Sequence, residues 1–463
     1  MTLPTDFAAR TQALLGEEYN LLEAALRTDS PVSIRINRQK LGDARMEDSV
    51  AWCSAGFYLG ERPSFTFDPL FHAGGYYVQE ASSMFLEQAI RSFVSEPVRC
   101  LDLCAAPGGK STHLLSLLPE GSLLVSNEVI RSRSNILAEN LTKWGNPNSI
   151  VTNNDPEEIG HLRHMFDVIL TDVPCSGEGM FRKDADSMGE WSVANVELCA
   201  ARQRRIIHDI WDALKPGGLL IYSTCTYNTE ENEDNIHYIQ EELGAEVLAI
   251  PVKEEWQVSG PLHFDNPVYR FFPHKTRGEG FFLAILRKAP GEVEEPRMKG
   301  KDKKGKSKPS TIPSTINEWI ENPGDFRIEI CGTTLQAIPA AHYDMWQMLS
   351  SRLRIISSGI CLGELKGKDV VPSPALALNT SLNTSAFPRV DVSWEDAIRY
   401  LRKETLTLPP DTPRGYALVC YRGLPLGFAK HLGNRANNLY PQEWKIRSSH
   451  LPSGAQDLFF KYS

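Results

Sequence analysis

Leu101-Asp102-Leu103-Cys104-Ala105-Ala106-Pro107-Gly108-Gly109-Lys110 is an apolar run that ends in small residues and a glycine pair, just ahead of a helical stretch. Small side chains at such a turn let a ligand approach backbone N–H groups at the carboxyl edge of a sheet. The run is neither Gly-x-Gly-x-x-Gly nor Gly-x-x-x-x-Gly-Lys-Ser/Thr, so a nucleoside less anionic than a pyrophosphate or triphosphate is the favoured ligand. On either side of it, from about 96 to 290, short apolar runs alternate with helical stretches, the pattern of a parallel sheet with crossover helices. Strands are predicted at 98–103, 122–127, 149–152, 166–171, 219–223 and 280–286, and helices at 109–118, 132–144, 195–214 and 230–243. Pro216-Gly217-Gly218 is expected to stop the third helix and turn the chain into the next strand.

Two further carboxylates fall at predicted strand ends. Glu128 closes the second strand, where a carboxylate can accept ribose hydroxyls, and Asp155 follows the third, where it can meet an adenine edge. Either acid alone reads equally well as a helix cap or a solvated loop residue. The fourth and fifth strands release cysteines, in Asp172-Val173-Pro174-Cys175-Ser176-Gly177 and Ser223-Thr224-Cys225, at the edge proposed for the nucleoside. Cysteine is usually a small buried hydrophobe, the reading given to Cys53, Cys100, Cys199, Cys331, Cys361 and Cys420. Two cysteines at two strand ends suit a pyrimidine, because addition of a thiolate to C6 makes C5 enamine-like and able to accept a methyl group. One thiol attacks and a second assists release, while an acid such as Asp172 near N3 stabilises the charge of addition.

The chain has 463 residues, 41% hydrophobic and 23% charged, which fits a multidomain globular protein. It has no run of ~18 apolar residues and no basic, apolar leader at Met1–Arg10, so a cytoplasmic, non-membrane protein is expected. Nine scattered cysteines without Cys-x-x-Cys spacing, and histidines such as His72, His113, His208 and His263 without paired spacing, indicate a reducing compartment and no metal. Residues 1–95 are read as an accessory domain, opening with one or two amphipathic helices over Thr5–Arg27 and then a strand that puts Arg35 and Asn37 on one face. Residues 96–289 are the α/β domain, 290–313 a basic linker, 314–390 a further domain of unassigned type, and 391–463 a basic C-terminal domain. The net charge is −9, yet Arg414–Arg447 carries six Lys or Arg against Glu443, which is consistent with phosphate contacts. Tyr416, Tyr421, Phe428, Tyr440 and Trp444 are divided between base stacking and core, with at least half expected in the core. The acidic run Glu230, Glu231, Glu233, Asp234 reads as the solvated start of a helix.

The Cys104–Lys110 run, the Asp172-x-Pro174-Cys175-Ser176-Gly177 motif and Ser223-Thr224-Cys225 with Glu230-Glu231-Asn232 resemble the RNA 5-methylcytosine methyltransferases of the NOL/NOP/Sun family, above all its bacterial members acting on 16S ribosomal RNA. Val173 stands where Ala is common, and Thr229 where many members have Pro; neither change removes a reactive group. The resemblance implies a Rossmann-like class I methyltransferase domain with an N-terminal accessory domain and a C-terminal PUA-like RNA-binding region. It implies that Cys225 is the nucleophile, that Cys175 aids breakdown of the adduct, and that Asp172 contacts base or donor. Cys104, Ala105, Ala106, Pro107, Gly108, Gly109, Lys110, Glu128, Asp155 and Arg133, with Asp172, are then the S-adenosylmethionine site. The segments 33–37 and 75–83 resemble the family's N-terminal RNA-side motifs, 270–273 with 280–282 its last catalytic motif, and 427–447 its PUA-like tail. The implied partner is RNA, 16S rRNA or the small ribosomal subunit. Transfer RNA as substrate, and a non-catalytic ribosome-assembly factor, are the alternatives.

Overall fold

The computed structural model describes residues 3–293, 313–367, 369–448, 451, 452, 454, 455, 458 and 459. Most of the expected linker, from 294 to 312, lies outside the described residues.

A nine-stranded mixed sheet forms the centre. Five parallel strands carry the site: Arg99–Asp102, Leu123–Asn127, Ser149–Thr152, Phe166–Asp172 and Leu214–Thr224, numbered here one to five in chain order. In space they run three, two, one, four, five, so the order reverses between the first and fourth strands. Ligands bind α/β sheets at such a reversal, beyond the carboxyl ends of the strands. These strands read as continuous Val, Ile and Leu runs because helices cover both faces. The antiparallel strand Phe281–Arg287 flanks the fifth strand, in turn pairing with Tyr269–Phe271 and Glu246–Leu248.

The predicted helices appear as Gly109–Leu117, Arg131–Trp144, Val193–Ile210 and Glu233–Leu243. The third ends four residues early. A 3-10 turn at Trp211–Ala213 intervenes, and Pro216-Gly217-Gly218 lies inside the fifth strand, where the pairing shifts register and Gly217 has φ of 76°. Proline is tolerated at such an irregularity, which is why it did not mark a helix stop here.

Residues 314–390 do not stand apart. The helix Tyr343–Arg352 buries Met345, Met348 and Leu349 in the core of the central sheet, and Ile355–Ser358 adds an antiparallel strand beside the third strand. The rest forms a four-stranded sheet whose apolar face shares one core with Leu418, Cys420 and Phe428, across the expected 390/391 boundary. Hydrophobic periodicity shows that a face is buried but not against what.

The N-terminal helices are Thr5–Leu15 and Glu18–Leu26; Phe7, Leu22 and Leu26 are buried, whereas Leu14 and Leu21 are exposed. The three strands Val32–Ile36, Gly56–Leu59 and Tyr76–Val78 share a core with the C-terminal sheet, including Ile34, Tyr76, Tyr400 and Tyr440. The segments expected to face RNA are therefore buried at junctions. Arg35 stacks over Trp144, donates to Gln79 and Thr112 at 2.8 and 2.6 Å, and reaches the Gly109 carbonyl at 3.2 Å. Asn37 donates to the Gly74 and Trp144 carbonyls. Glu87, His113 and Cys53 meet at the same junction, with His113 Nε2 at 3.4 Å from Glu87 and 3.8 Å from Cys53 Sγ. Burial holds His113 down to about 4, while Glu87 rests at about 2 through its bond to His113, in spite of its own burial.

No helix among the described residues is long and apolar enough to cross a membrane. Of the cysteines expected in the core, Cys53, Cys100, Cys199 and Cys420 are buried and Cys361 is half-buried. Cys331 is exposed, because the strand Phe326–Cys331 lies at the edge of its sheet.

Candidate active site

Parallel register brings the five strand ends to one edge: Asp102 stands opposite Leu170, and Asp172 opposite Ser223. The glycine turn follows the first strand. Gly108 has φ of 115°, a left-handed conformation, and a Cβ there would come 3.3 Å from Leu137 and Leu141. Gly109 opens the helix Gly109–Leu117, and Tyr77 of the N-terminal domain lies against it. Cys104, Ala105, Ala106 and Pro107 form the wall between these residues and the second strand; Arg133 donates to the Ala106 carbonyl at 2.9 Å, and Asn140 to that of Pro107 at 2.8 Å.

Acids ring this cradle. Glu128 is buried, with one oxygen accepting the Ile130 N–H at 2.9 Å and the other 3.5 Å from Arg133. Asp155 is the N-cap of a short helix, in a capping box with Glu158, so the cap reading of this acid holds; it is nevertheless exposed at the third strand end. Asp102 is fully buried: Oδ2 accepts from Ser111 at 2.6 Å, while Oδ1 has no hydrogen-bond partner among the described residues. Burial pushes its carboxyl up to about 7. An unpaired acceptor in a ring of acids suits a cationic ligand rich in donors, and S-adenosylmethionine, with an ammonium, a sulfonium and a ribose diol, fits that set.

The two cysteines converge. Cys175 Sγ and Cys225 Sγ are 3.2 Å apart, and the Cys225 N–H points to Cys175 Sγ at 3.4 Å. Both side chains are partly exposed. The hydrogen bond to Cys225, then burial, raises the Cys175 thiol well above its ordinary range, which keeps it protonated. Lys110 Nζ lies 2.8 Å from Asp172 Oδ2 and over the ring of Phe281. The opposing charge of Asp172 raises Lys110 even though burial works in the other direction, so its ammonium stays charged. Asp172 Oδ1 accepts from Ser223 at 2.8 Å. The sequence reading took Asp172 as an acid acting alone; the geometry makes it half of an ion pair with Lys110.

The sequence reading missed two residues that hold the cysteine loops. Glu178 and Glu231 are both buried; from the opposite loop Glu178 accepts two backbone N–H groups and Glu231 accepts one. The acidic run was expected in solvent, but the helix begins only at Glu233, and Glu233 is paired with the buried Arg270. Four acids among five residues look like a charged surface unless their N–H partners are known. The spacings Cys175-x-x-Glu178 and Cys225-x-x-x-x-x-Glu231 after two strand ends were the available signal.

At the C-terminal sheet, Tyr421, Phe428 and Tyr440 belong to the core, while Tyr416 and Trp444 are half-buried beneath Lys430 and Lys143. A surface groove of about 680 Å³ is lined by Arg402, Lys445 and Arg447 with Glu404 and Glu443.

Comparison with known proteins gives three family matches: 16S rRNA methyltransferase RsmB/F over residues 94–287, the N-terminal domain of 16S rRNA methyltransferase RsmF over 3–81, and the methyltransferase RsmF PUA domain over 387–446. Ribosomal RNA small subunit methyltransferase F of Erwinia tasmaniensis is 31% identical over 85% of this chain and 84% of its own. The protein of the same name from Vibrio parahaemolyticus is 31% identical over 95% and 97%. Among solved structures, a methyltransferase homologue from Pyrococcus horikoshii is 29% identical, with a TM-score of 0.53 over 62% of this chain and 95% of its own. NSun6 from the same organism, solved with SFG, shares the fold at 21% identity, with a TM-score of 0.54 over 62% and 99%.

Proposed function

We propose, for a chain that belongs to the 16S rRNA methyltransferase RsmB/F family, that it transfers the methyl group of S-adenosylmethionine to C5 of a cytidine in ribosomal RNA, with Cys225 as nucleophile. The observation that carries this reading is the approach of Cys175 and Cys225 to 3.2 Å at the edge that also holds the acid-ringed cradle. The substrate is an RNA, and within that class the reading is 16S rRNA in the small subunit. Nine free cysteines suit a reducing cytoplasm as the site of action.

Bound S-adenosylmethionine supplies an electrophilic methyl on a sulfonium. Cys104–Lys110 would hold it along the glycine turn, Glu128 and Asp155 at its nucleoside end, with Arg133 bracing Glu128. The target cytosine must leave its stack to reach the sheet edge. Cys225 Sγ, as the thiolate, then forms a bond to C6, and the ring's electron density moves toward N3 and C5. Lys110 places positive charge beside Asp172, where the density accumulates at N3. After methylation, which leaves S-adenosylhomocysteine, the C5 proton passes to water, its bonding pair re-forms the C5–C6 double bond, the Cys225–C6 bond breaks and the ring regains aromaticity. Cys175, held protonated beside Cys225, is placed to give its proton to the departing sulfur.

As part of the same reading, residues 1–95 and 391–463 are RNA-side domains, 96–289 the catalytic domain, 290–313 a linker, and 314–390 a brace between catalytic sheet and PUA domain. Labelled methyl transfer to purified 16S rRNA, small subunits and transfer RNA, followed by bisulfite mapping, tests the proposal. Label at a single cytosine of 16S rRNA or the subunit is expected. Preferential labelling of transfer RNA would reassign the substrate, and no transfer to any fraction would remove the activity.

A further inference from the structure

Three features stand outside the proposed chemistry: the Cys53–Glu87–His113 cluster, the groove of the C-terminal domain, and a pair of buried carboxylates behind the thiols. In the cluster Glu87 is satisfied by Ser54, Arg91 and His113, although His113 Nδ1 has no partner among the described residues, and the groove belongs to the RNA-side reading. The carboxylates carry more.

Glu178 follows Cys175 in the loop after the fourth strand. Its Oε2 accepts the N–H groups of Tyr227 and Asn228 at 2.7 and 2.9 Å, in the loop that carries Cys225, and its Oε1 accepts Trp191 Nε1–H at 3.0 Å. Glu231 follows Cys225. Its Oε2 accepts the Ser176 N–H at 3.0 Å, next to Cys175, and Gln203 Nε2–H at 2.7 Å, while its Oε1 accepts from Asn228 Nδ2 at 2.8 Å. Each cysteine loop therefore sends a carboxylate across to the backbone of the other. Between these two braces, the Gly179 N–H donates to the Cys225 carbonyl at 2.8 Å, and Ser176 Oγ meets Thr226 Oγ1 at 2.9 Å.

All six donors to the two acids are uncharged N–H groups. A buried carboxylate without a cation is costly, and it persists where every lone pair is used for position. Burial raises the Glu231 carboxyl, and the nearby charge of Glu178 adds to the rise. Each acid acts only as an acceptor, so an isosteric amide turns an N–H toward an N–H. We propose that Glu178 and Glu231 form a reciprocal clamp that fixes the Cys175–Cys225 sulfur separation, making them positioning residues for the two-thiol reaction. The proposal rests on the reading of both thiols as reacting groups.

The test uses the full chain with Glu178→Gln and Glu231→Gln. Phenylarsine oxide reads the thiol pair without turnover: two thiols and R–As=O give a cyclic dithioarsinite and one water. Wild type should bind it through the pair, and Cys175→Ala should lose that binding. Each Gln variant should weaken arsenical binding at least tenfold and lower kcat at least tenfold, with KM for S-adenosylmethionine near wild type. Wild-type arsenical binding and kcat in both variants would overturn the clamp. So would a parallel fall in cofactor affinity and melting temperature, which would mark a merely structural role. If the arsenical arm behaves as expected but wild type methylates no RNA, the functional reading fails and the clamp stands.

Discussion

Gly179→Ala should slow methyl transfer while leaving the cofactor site intact. A Cβ at this glycine would meet two backbone carbonyls, 2.7 Å from Gly280 O and 2.8 Å from Cys225 O. Neither is the flexible end of a side chain, so relief comes from moving the loop that carries Cys225, by about 0.6 Å to reach ordinary contact. The same movement stretches the Gly179 N–H bond to the Cys225 carbonyl. Since ~1 Å of misplacement at reacting atoms costs ~10²-fold, the expected loss in the single-turnover rate is about tenfold to 100-fold. S-adenosylmethionine affinity should stay within about twofold, because the glycine turn at 108–109 lies on another strand end. Gly189→Ala, at a position open to solvent space, is the control and should turn over at the wild-type rate. A wild-type single-turnover rate for Gly179→Ala would refute the claim that loop spacing sets reactivity.

Stability should fall on acidification below neutrality. Burial holds His72 down to about 3 and His113 to about 4, so between an unfolded value near 6.5 and those values the unfolded chain binds more protons. Each contributes a loss of up to about 1.4 kcal/mol per pH unit as pH falls through that window, and the Asp102 carboxyl, raised to about 7, offsets about one of the two; urea midpoints from pH 7 to 4.5 check it, and a flatter slope is expected for His72→Gln. Arg447→Ala and Lys445→Ala should weaken RNA binding across sequences and each reduce the log Kd against log salt slope by about 1, measured by titration at several salt concentrations. Arg35→Met removes charge-assisted bonds to Gln79 and Thr112 at the domain junction, and should cost about 2–4 kcal/mol in chemical denaturation.

Much of the site was legible in the sequence because strand ends are. A strand's period and its following turn residue place a side chain at the sheet edge, so Cys104–Lys110, Glu128, Asp172, Cys175 and Cys225 could be put together without coordinates. Their mutual distances could not. The pairing of Lys110 with Asp172 crosses from the first strand end to the fourth, and the clamp of Glu178 and Glu231 crosses from the fourth to the fifth; both depend on register. Arg35 and Gln79 misled for a related reason. Polar residues on or beside a short strand look available to a ligand, whereas here Gln79 accepts from Arg35, and Arg35 reaches the Gly109 carbonyl of the neighbouring domain. The residues 314–390 gave no domain type because they share their core with two neighbours.

The central claim is that one sulfur bonds to the pyrimidine and its neighbour lets it go. Denaturing gels and intact mass after incubation with substrate RNA and S-adenosylmethionine test it directly. Cys175→Ala should accumulate a covalent protein–RNA species and Cys225→Ala none; an adduct in Cys225→Ala, or full methylation by it, would contradict the account.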